Sequence, residues 1–221
     1  METCRKIFCF VLACVIVLSP AKIFAQTISS SSTNMDDAFD RNDVLDDADL
    51  FDWKSMTLAG IQNFLLEKGT LGSIKIKDLD GAEKTPAQII ERVAKTYQVS
   101  PRYLMALIQK EQSLVEDPHP TQKQFDWAAG FGVCDSCSMA DSAIQAYKGF
   151  ANQLESAAKQ FREKYLQQII GKGSTIGGYA PGHIMVVDGK IVIPQNQATA
   201  MLYTYTPHLH GNLNLWRIWQ R

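Results

Sequence analysis

The stretch from Ser100 to Val115 constrains this chain most, because it combines a helix start with an ionisable group where a core is expected. Ser100 at the N-cap is followed by Pro101 at the first helical position, where the missing N–H costs nothing. Leu104, Leu107, Ile108, Leu114 and Val115 recur at helical spacing and define one apolar stripe. At about 100° per residue Glu111 points into that stripe, while Lys110, Gln112 and Ser113 project elsewhere. A carboxyl group there loses hydration, which disfavours its charged form and suits it to general acid chemistry. The same pattern arises when a carboxylate pairs with a buried cation or reaches water, and the periodicity leaves these alternatives open.

The N-terminal segment gives an expectation for the compartment. Arg5 and Lys6 precede an apolar run from Ile7 to Leu18, and Pro20 to Ala25 then breaks the run and places a small residue before Gln26. Residues 1–25 therefore read as a secretory signal, and the run is shorter than the roughly 20 residues that span a bilayer. Any membrane contact is expected only through this segment if it stays uncleaved. The protein is then secreted, periplasmic or held at the cell surface. Removing the segment leaves the remainder at a net charge of about −3, which gives no electrostatic footprint for nucleic acid. Residues 26–52 carry a serine run and closely spaced aspartates from Asp36 to Asp52 with few apolar partners, the pattern of an acidic, disordered linker. Residues 53–221 have the right length for one domain with a single core.

Within that domain the signals are mostly helical, and a mostly α fold with one small β-hairpin is expected. Leu58, Ile61, Leu65 and Leu66 share a face that stops at Gly69, and Thr85-Pro86 starts a second helix with Ile89, Ile90, Val93 and Tyr97 inward. Pro118 and Pro120 break the pattern, so residues 117–137 read as a long ordered loop. Ala140 to Ile170 reads as one long helix ended by Gly171, burying Tyr147, Phe150, Leu154, Ala157, Ala158, Phe161 and Tyr165. Two apolar runs around Asp188-Gly189 make the hairpin, Asn196 caps a helix from Gln197 to Tyr205, and the dense cluster Leu215, Trp216, Ile218, Trp219 is expected to dock back onto the domain.

Several chemistries are missing from the sequence: it has no glycine-rich phosphate loop, no H-E-x-x-H and no G-x-S-x-G. No cofactor and no metal site is indicated. The pair Cys134 and Cys137 is compatible with half a zinc site, a redox pair or a local disulfide; with no second pair and no histidine at zinc-finger spacing, a disulfide closing a small loop is the expectation. Glu111 stands out as the candidate for catalysis.

Gln109-Lys110-Glu111-Gln112-Ser113-Leu114, the aromatic loop Ala129-Gly130-Phe131-Gly132-Val133, the long alanine-bearing helix after it, and Asn196-Gln197-Ala198-Thr199-Ala200-Met201-Leu202-Tyr203-Thr204-Tyr205-Thr206-Pro207 together resemble the lysozyme-like superfamily. They are similar in particular to secreted bacterial transglycosylase-like proteins. The resemblance covers most of residues 50–221 and implies a lysozyme-like helical domain that cleaves the β-1,4 bond between N-acetylmuramic acid and N-acetylglucosamine. Its partner would be peptidoglycan or a related N-acetylhexosamine glycan. Glu111 matches the catalytic glutamate, which protonates the leaving oxygen as general acid/base. Ser113, Asp126, Trp127, Phe131, Tyr203 and Tyr205 are the implied substrate-binding positions, with Tyr205 or Tyr203 closing the pocket. Aromatic rings suit a sugar groove because a flat apolar face carries a polar rim. The chain departs from the family where Glu-Ser becomes Glu111-Gln112 and where the loop reads Gly130-Phe131-Gly132-Val133. Asp126 or Asp135 would be the second carboxylate of a hydrolase; without one, assistance by the substrate's N-acetyl group and an anhydro product are expected. A non-catalytic glycan-binding module on the same fold is the rival reading. The oligomeric state is not legible.

Overall fold

Thr85, Ser100 and Asn196 each precede a helix and each accepts a hydrogen bond from a backbone N–H of its first turn, so these local start signals are realised, and Thr57, which the sequence reading did not single out, caps a helix in the same way. In the computed structural model, which describes residues 35–133, 138 and 140–221, the element order is mostly helical. It runs α1 (Asp47–Phe51), α2 (Leu58–Lys68), β1 (Ile76–Lys77), β2 (Glu83–Lys84), α3 (Pro86–Tyr97), α4 (Pro101–Gln112) and α5 (Gln122–Asp126). It continues through α6 (Ser142–Gln145), α7 (Phe150–Lys159), a π-helical stretch Gln160–Tyr165, α8 (Leu166–Lys172), β3 (Met185–Val187), β4 (Lys190–Val192), α9 (Gln197–Tyr205) and α10 (Leu209–Trp219). Residues 1–25, read from the sequence as a secretory signal, and the Cys134 and Cys137 pair lie outside the described residues, as does Asp135. Among the described residues no helix is long and apolar enough to cross a membrane.

Helix α4 is the spine. Tyr103, Leu104, Leu107 and Ile108 are buried in one core with Ile89, Ile90 and Val93 of α3 and Leu154 of α7. The terminal helix α10 packs along α4, so the apolar cluster near the end does dock. The hairpin β3–β4 pairs Val186 with Ile191 across a turn in which Asp188 and Gly189 both take positive φ, 47° and 73°, the backbone that matches strand twist.

The stretch 117–137 is not all loop, because Gln124 Oε1 accepts from the Thr121 N–H at 2.7 Å and starts α5, and three further expectations fail for identifiable reasons. The run from Ala140 is not one helix: Gly149 sits at φ 105° and donates its N–H to the Asp126 carbonyl at 2.9 Å, so the helix restarts at Phe150 and Tyr147 is left partly exposed. It then passes Gly171 and stops at Gly173, whose φ of 82° makes the left-handed cap. The linker reading does not hold for residues 36–52. Val44, Leu45 and Leu50 are buried, the Val44 N–H donates to Thr199 Oγ1 at 3.0 Å, and Arg217 pairs with Asp36. The aspartates here are partners for a helix start: Asp47 accepts from Ala198 N–H at 2.6 Å and Asp43 from Asn196 Nδ2 at 2.7 Å, where the N-terminal end of α9 favours negative charge.

The third difference is a second hairpin, β1–β2. It is held by Asp78, whose side chain is 1% exposed and receives Lys84 at 2.7 Å and Arg92 at 2.9 Å; Arg92 continues to Glu155 at 2.6 Å. Burial is the largest single influence on the Asp78 carboxyl and would raise its pKa, but the hydrogen bonds from Lys84 and Arg92 together prevail and hold it below the usual carboxylate range. Its contribution to stability is therefore complete above that range and is lost as the pH falls through the lowered value. Arg92→Met is expected to destabilise the protein by about 3 kcal/mol, the lower end for a broken buried pair because Lys84 remains. It should also flatten the acid limb of stability against pH, and urea unfolding between neutral and acid pH checks both.

Candidate active site

Glu111 lies in the last turn of α4, which Ser113 closes in the left-handed region at φ 54°. Its side chain is 24% exposed, so the carboxylate sits at the mouth of the core rather than within it. One oxygen, Oε1, receives Lys110 Nζ at 2.5 Å. Lys110 was expected to project away, but its long apolar stem lies along the protein and its side chain is only 7% exposed. The same ammonium donates to Thr206 Oγ1 at 2.7 Å, just beyond α9. Of the alternatives for a carboxylate on this stripe, pairing with a buried cation is the one realised.

The other oxygen, Oε2, faces the aromatic loop. A Cβ at Gly130 would stand 3.0 Å from it, and Gly130 has φ 66°, so no other residue lets the loop backbone come this close without strain. Gly130→Ala is expected to cost about 1–2 kcal/mol for the left-handed backbone alone, with a further loss from crowding Glu111. Thermal unfolding of the variant against Gly189→Ala, which meets no neighbour within 4 Å, separates the two effects.

The loop is fixed from beneath by two groups. Tyr205 Oη donates to the Ala129 carbonyl at 2.8 Å. Burial, with the nearby Glu111 charge second, pushes the Tyr205 hydroxyl far above its ordinary pKa, so it stays a donor. Gln153 on α7 is fully buried; its Oε1 accepts from Phe131 N–H at 2.9 Å and Ala129 N–H at 3.3 Å, and its Nε2 donates to the carbonyls of Phe131 and Tyr147 at 3.0 and 2.9 Å. Below them Phe161, in the π-helical stretch, packs against Tyr103, Tyr165 and Tyr205 with ring centroids 5.2, 5.7 and 5.3 Å apart. The Tyr103 hydroxyl is buried without a hydrogen-bond partner among the described residues.

The structure thus brings Glu111, the Gly130 loop and Tyr205 together. Phe131 stands over the loop in an edge contact with Tyr147 at 4.9 Å, and a Cβ at Gly132 would be 2.7 Å from the Tyr147 ring. Trp127 is buried and its carbonyl closes the turn to Gly130 N–H at 2.9 Å, which makes it a support for the loop. Ser113 is exposed at the helix end. Tyr203 is not at the site: it is fully buried, stacks on Tyr179 and donates to the Arg41 carbonyl at 2.9 Å. The contacts of Asp126 run to Lys148 at 3.2 Å and Gln122 at 2.9 Å rather than to Glu111.

Sequence reasoning missed Lys110, Gln153, Tyr147 and Thr206. Gln153 had a legible signal, since it shares the helical face of Phe150, Leu154 and Ala157 and is the polar member of an apolar stripe. Lys110 had none, because its direction depends on Thr206, 96 residues away.

Chemically, the arrangement offers one carboxylate whose Oε1 is held by an ammonium and whose Oε2 is presented at a loop whose half-buried Phe131 meets the partly exposed Tyr147 ring. Such a group can exchange a proton at Oε2 while its charge is balanced at Oε1. A family profile described as LasA, N-terminal domain, matches residues 43–176, which include Glu111, the loop and Gln153. No curated protein and no solved structure matches the chain.

Proposed function

Because this chain belongs to the LasA N-terminal domain family, we propose that it acts on the bacterial cell wall outside the cytoplasm, as a lysozyme-like glycosidase that cleaves peptidoglycan glycan through Glu111. The LasA N-terminal domain is associated with a secreted staphylolytic protease, which supports a cell-wall substrate without supplying this chemistry. The observation that carries the reading is the divided Glu111 carboxylate, with Oε1 on Lys110 and Oε2 at the Gly130 loop.

In the proposed reaction the protonated Oε2 gives its proton to the oxygen bridging N-acetylmuramic acid and N-acetylglucosamine, and the C1–O4 bond breaks. The N-acetyl carbonyl of the substrate shares the positive charge at C1, which suits a site in which Asp126 is already engaged by Lys148. The Glu111 carboxylate then takes the proton of the muramic acid C6 hydroxyl as that oxygen closes on C1, giving an anhydro end. Lys110 stabilises the carboxylate between the two transfers. Phe131 and Tyr147 offer ring faces to the sugars.

The second reading, a glycan-binding module without turnover, is favoured by the same ion pair, since Lys110, itself anchored on Thr206 Oγ1, already engages Oε1 of Glu111. Incubating the protein with purified sacculi separates the readings. Anhydro-muropeptides in the supernatant support cleavage, reducing ends would replace the anhydro step by hydrolysis, and co-sedimentation without any release would leave only binding. Neither release nor sedimentation, across sacculi of several types, would overturn both.

A further inference from the structure

The docking of α10 leaves part of its apolar end uncovered. Between the ends of α2, α4 and α10 lies a groove of about 300 Å³, floored by Met56, Phe64, Met105, Val115, Ile218 and Trp219. That volume is at the small end of ligand pockets, which run from about 300 to 1,000 Å³. Glu111 is not part of it. Two of the floor residues are methionines, whose flexible side chains adapt to the shape of an apolar ligand.

The rim is cationic. Lys68, Arg102 and Arg221 border the groove against a single carboxylate, Glu116. The Arg102 guanidinium lies 4.2 Å over the Trp219 ring and makes no ion pair among the described residues. Lys68 lies 5.5 Å over the Phe64 ring and stands 3.9 Å from Glu67. Arg221 is 3.8 Å from Glu116, which is already hydrogen-bonded to Gln109 Nε2 at 2.9 Å. Ring faces direct Arg102 and Lys68 to the groove mouth, and both retain donors that no carboxylate occupies at hydrogen-bond distance.

We propose that this groove is a binding site for a medium-chain aliphatic carboxylate, with its tail on Phe64, Met105 and Trp219 and its head on Arg102 and Lys68. An apolar floor favours an alkyl chain over a sugar, since Gln109 is the one uncharged polar side chain in the lining and sugars need several. The excess of cations favours an anionic head, and the planar fork of an arginine matches a carboxylate with two parallel hydrogen bonds. The site is independent of cleavage at Glu111.

Titrating the full chain with decanoate below its micellar concentration, followed by tryptophan fluorescence and calorimetry, tests the assignment. Saturable one-site binding is expected for decanoate, with decyltrimethylammonium weaker by about tenfold or more. Arg102→Glu, at an exposed position that keeps the fold, should weaken decanoate by a similar factor and narrow the difference between the two amphiphiles, while Glu111→Gln should bind decanoate as the parent does. Equal binding of the two amphiphiles, uptake that does not saturate, or an Arg102→Glu variant with parental affinity would overturn the proposal.

Discussion

Glu111→Gln is expected to lower the release of muropeptides from sacculi by about 10² to 10⁴-fold, the range that a positioned general acid contributes, while co-sedimentation with sacculi persists. The substitution is chosen for what it preserves. An amide oxygen at Oε1 still accepts from Lys110 Nζ, and the group at Oε2 keeps its size beneath Gly130. The buried ammonium would then keep hydrogen bonds to residue 111 and Thr206 but lose its countercharge, so stability is expected to fall as well, by up to about 3 kcal/mol, and urea unfolding of the variant separates that loss from the loss in rate. Glu111→Ala would leave the ammonium with Thr206 alone, and stability would fall further. A Gln variant that releases muropeptides at the parental rate, verified to be folded, would remove Glu111 from the chemistry and transfer the question to another group. A parent with no release leaves nothing to lose, and the sedimentation of both proteins then measures binding.

Gln153→Leu is expected to destabilise the protein by about 2–4 kcal/mol and to free the loop over Glu111. Leucine has a similar volume, so the cavity cost is small. What is lost is four hydrogen bonds to the backbone of Ala129, Phe131 and Tyr147. An unsatisfied buried group costs about 1–3 kcal/mol, and Phe131 is only half-buried, so water recovers part of the loss there. Urea unfolding gives the stability, and hydrogen exchange at the amides of residues 127–133 gives the loop. Fast exchange confined to those amides, with α3 and α4 still protected, is the expected pattern. Uniform loss of protection would make Gln153 a general core residue with no special part in holding the loop.

Much of the fold was legible because its signals are local. Ser100-Pro101, Thr85-Pro86 and Asn196 satisfy backbone donors within three residues, and the Asp188-Gly189 turn is set by two adjacent φ angles. The hairpin β1–β2 escaped because two-residue strands carry no alternation long enough to recognise, and its support comes from Arg92 and, through it, Glu155. The acidic segment misled for a related reason. Its aspartates look solvated in sequence, and become intelligible only when the N-terminus of α9 is placed beside Asp43 and Asp47.

For the candidate site, the sequence by itself determined that a carboxylate stands at the end of an apolar helical stripe and that a glycine-bearing aromatic loop and a tyrosine-bearing helix follow. Periodicity decides which face a side chain leaves from, and that suffices for Glu111. Only the tertiary structure decided that Lys110 turns back to hold Oε1, that Gly130 presses against Oε2, that Tyr205 rather than Tyr203 supports the loop, and that Gln153 locks it. The physical reason is reach: a long flexible side chain, or a backbone with positive φ, takes its direction from partners tens of residues away, and those partners meet only when the core around α4 has formed.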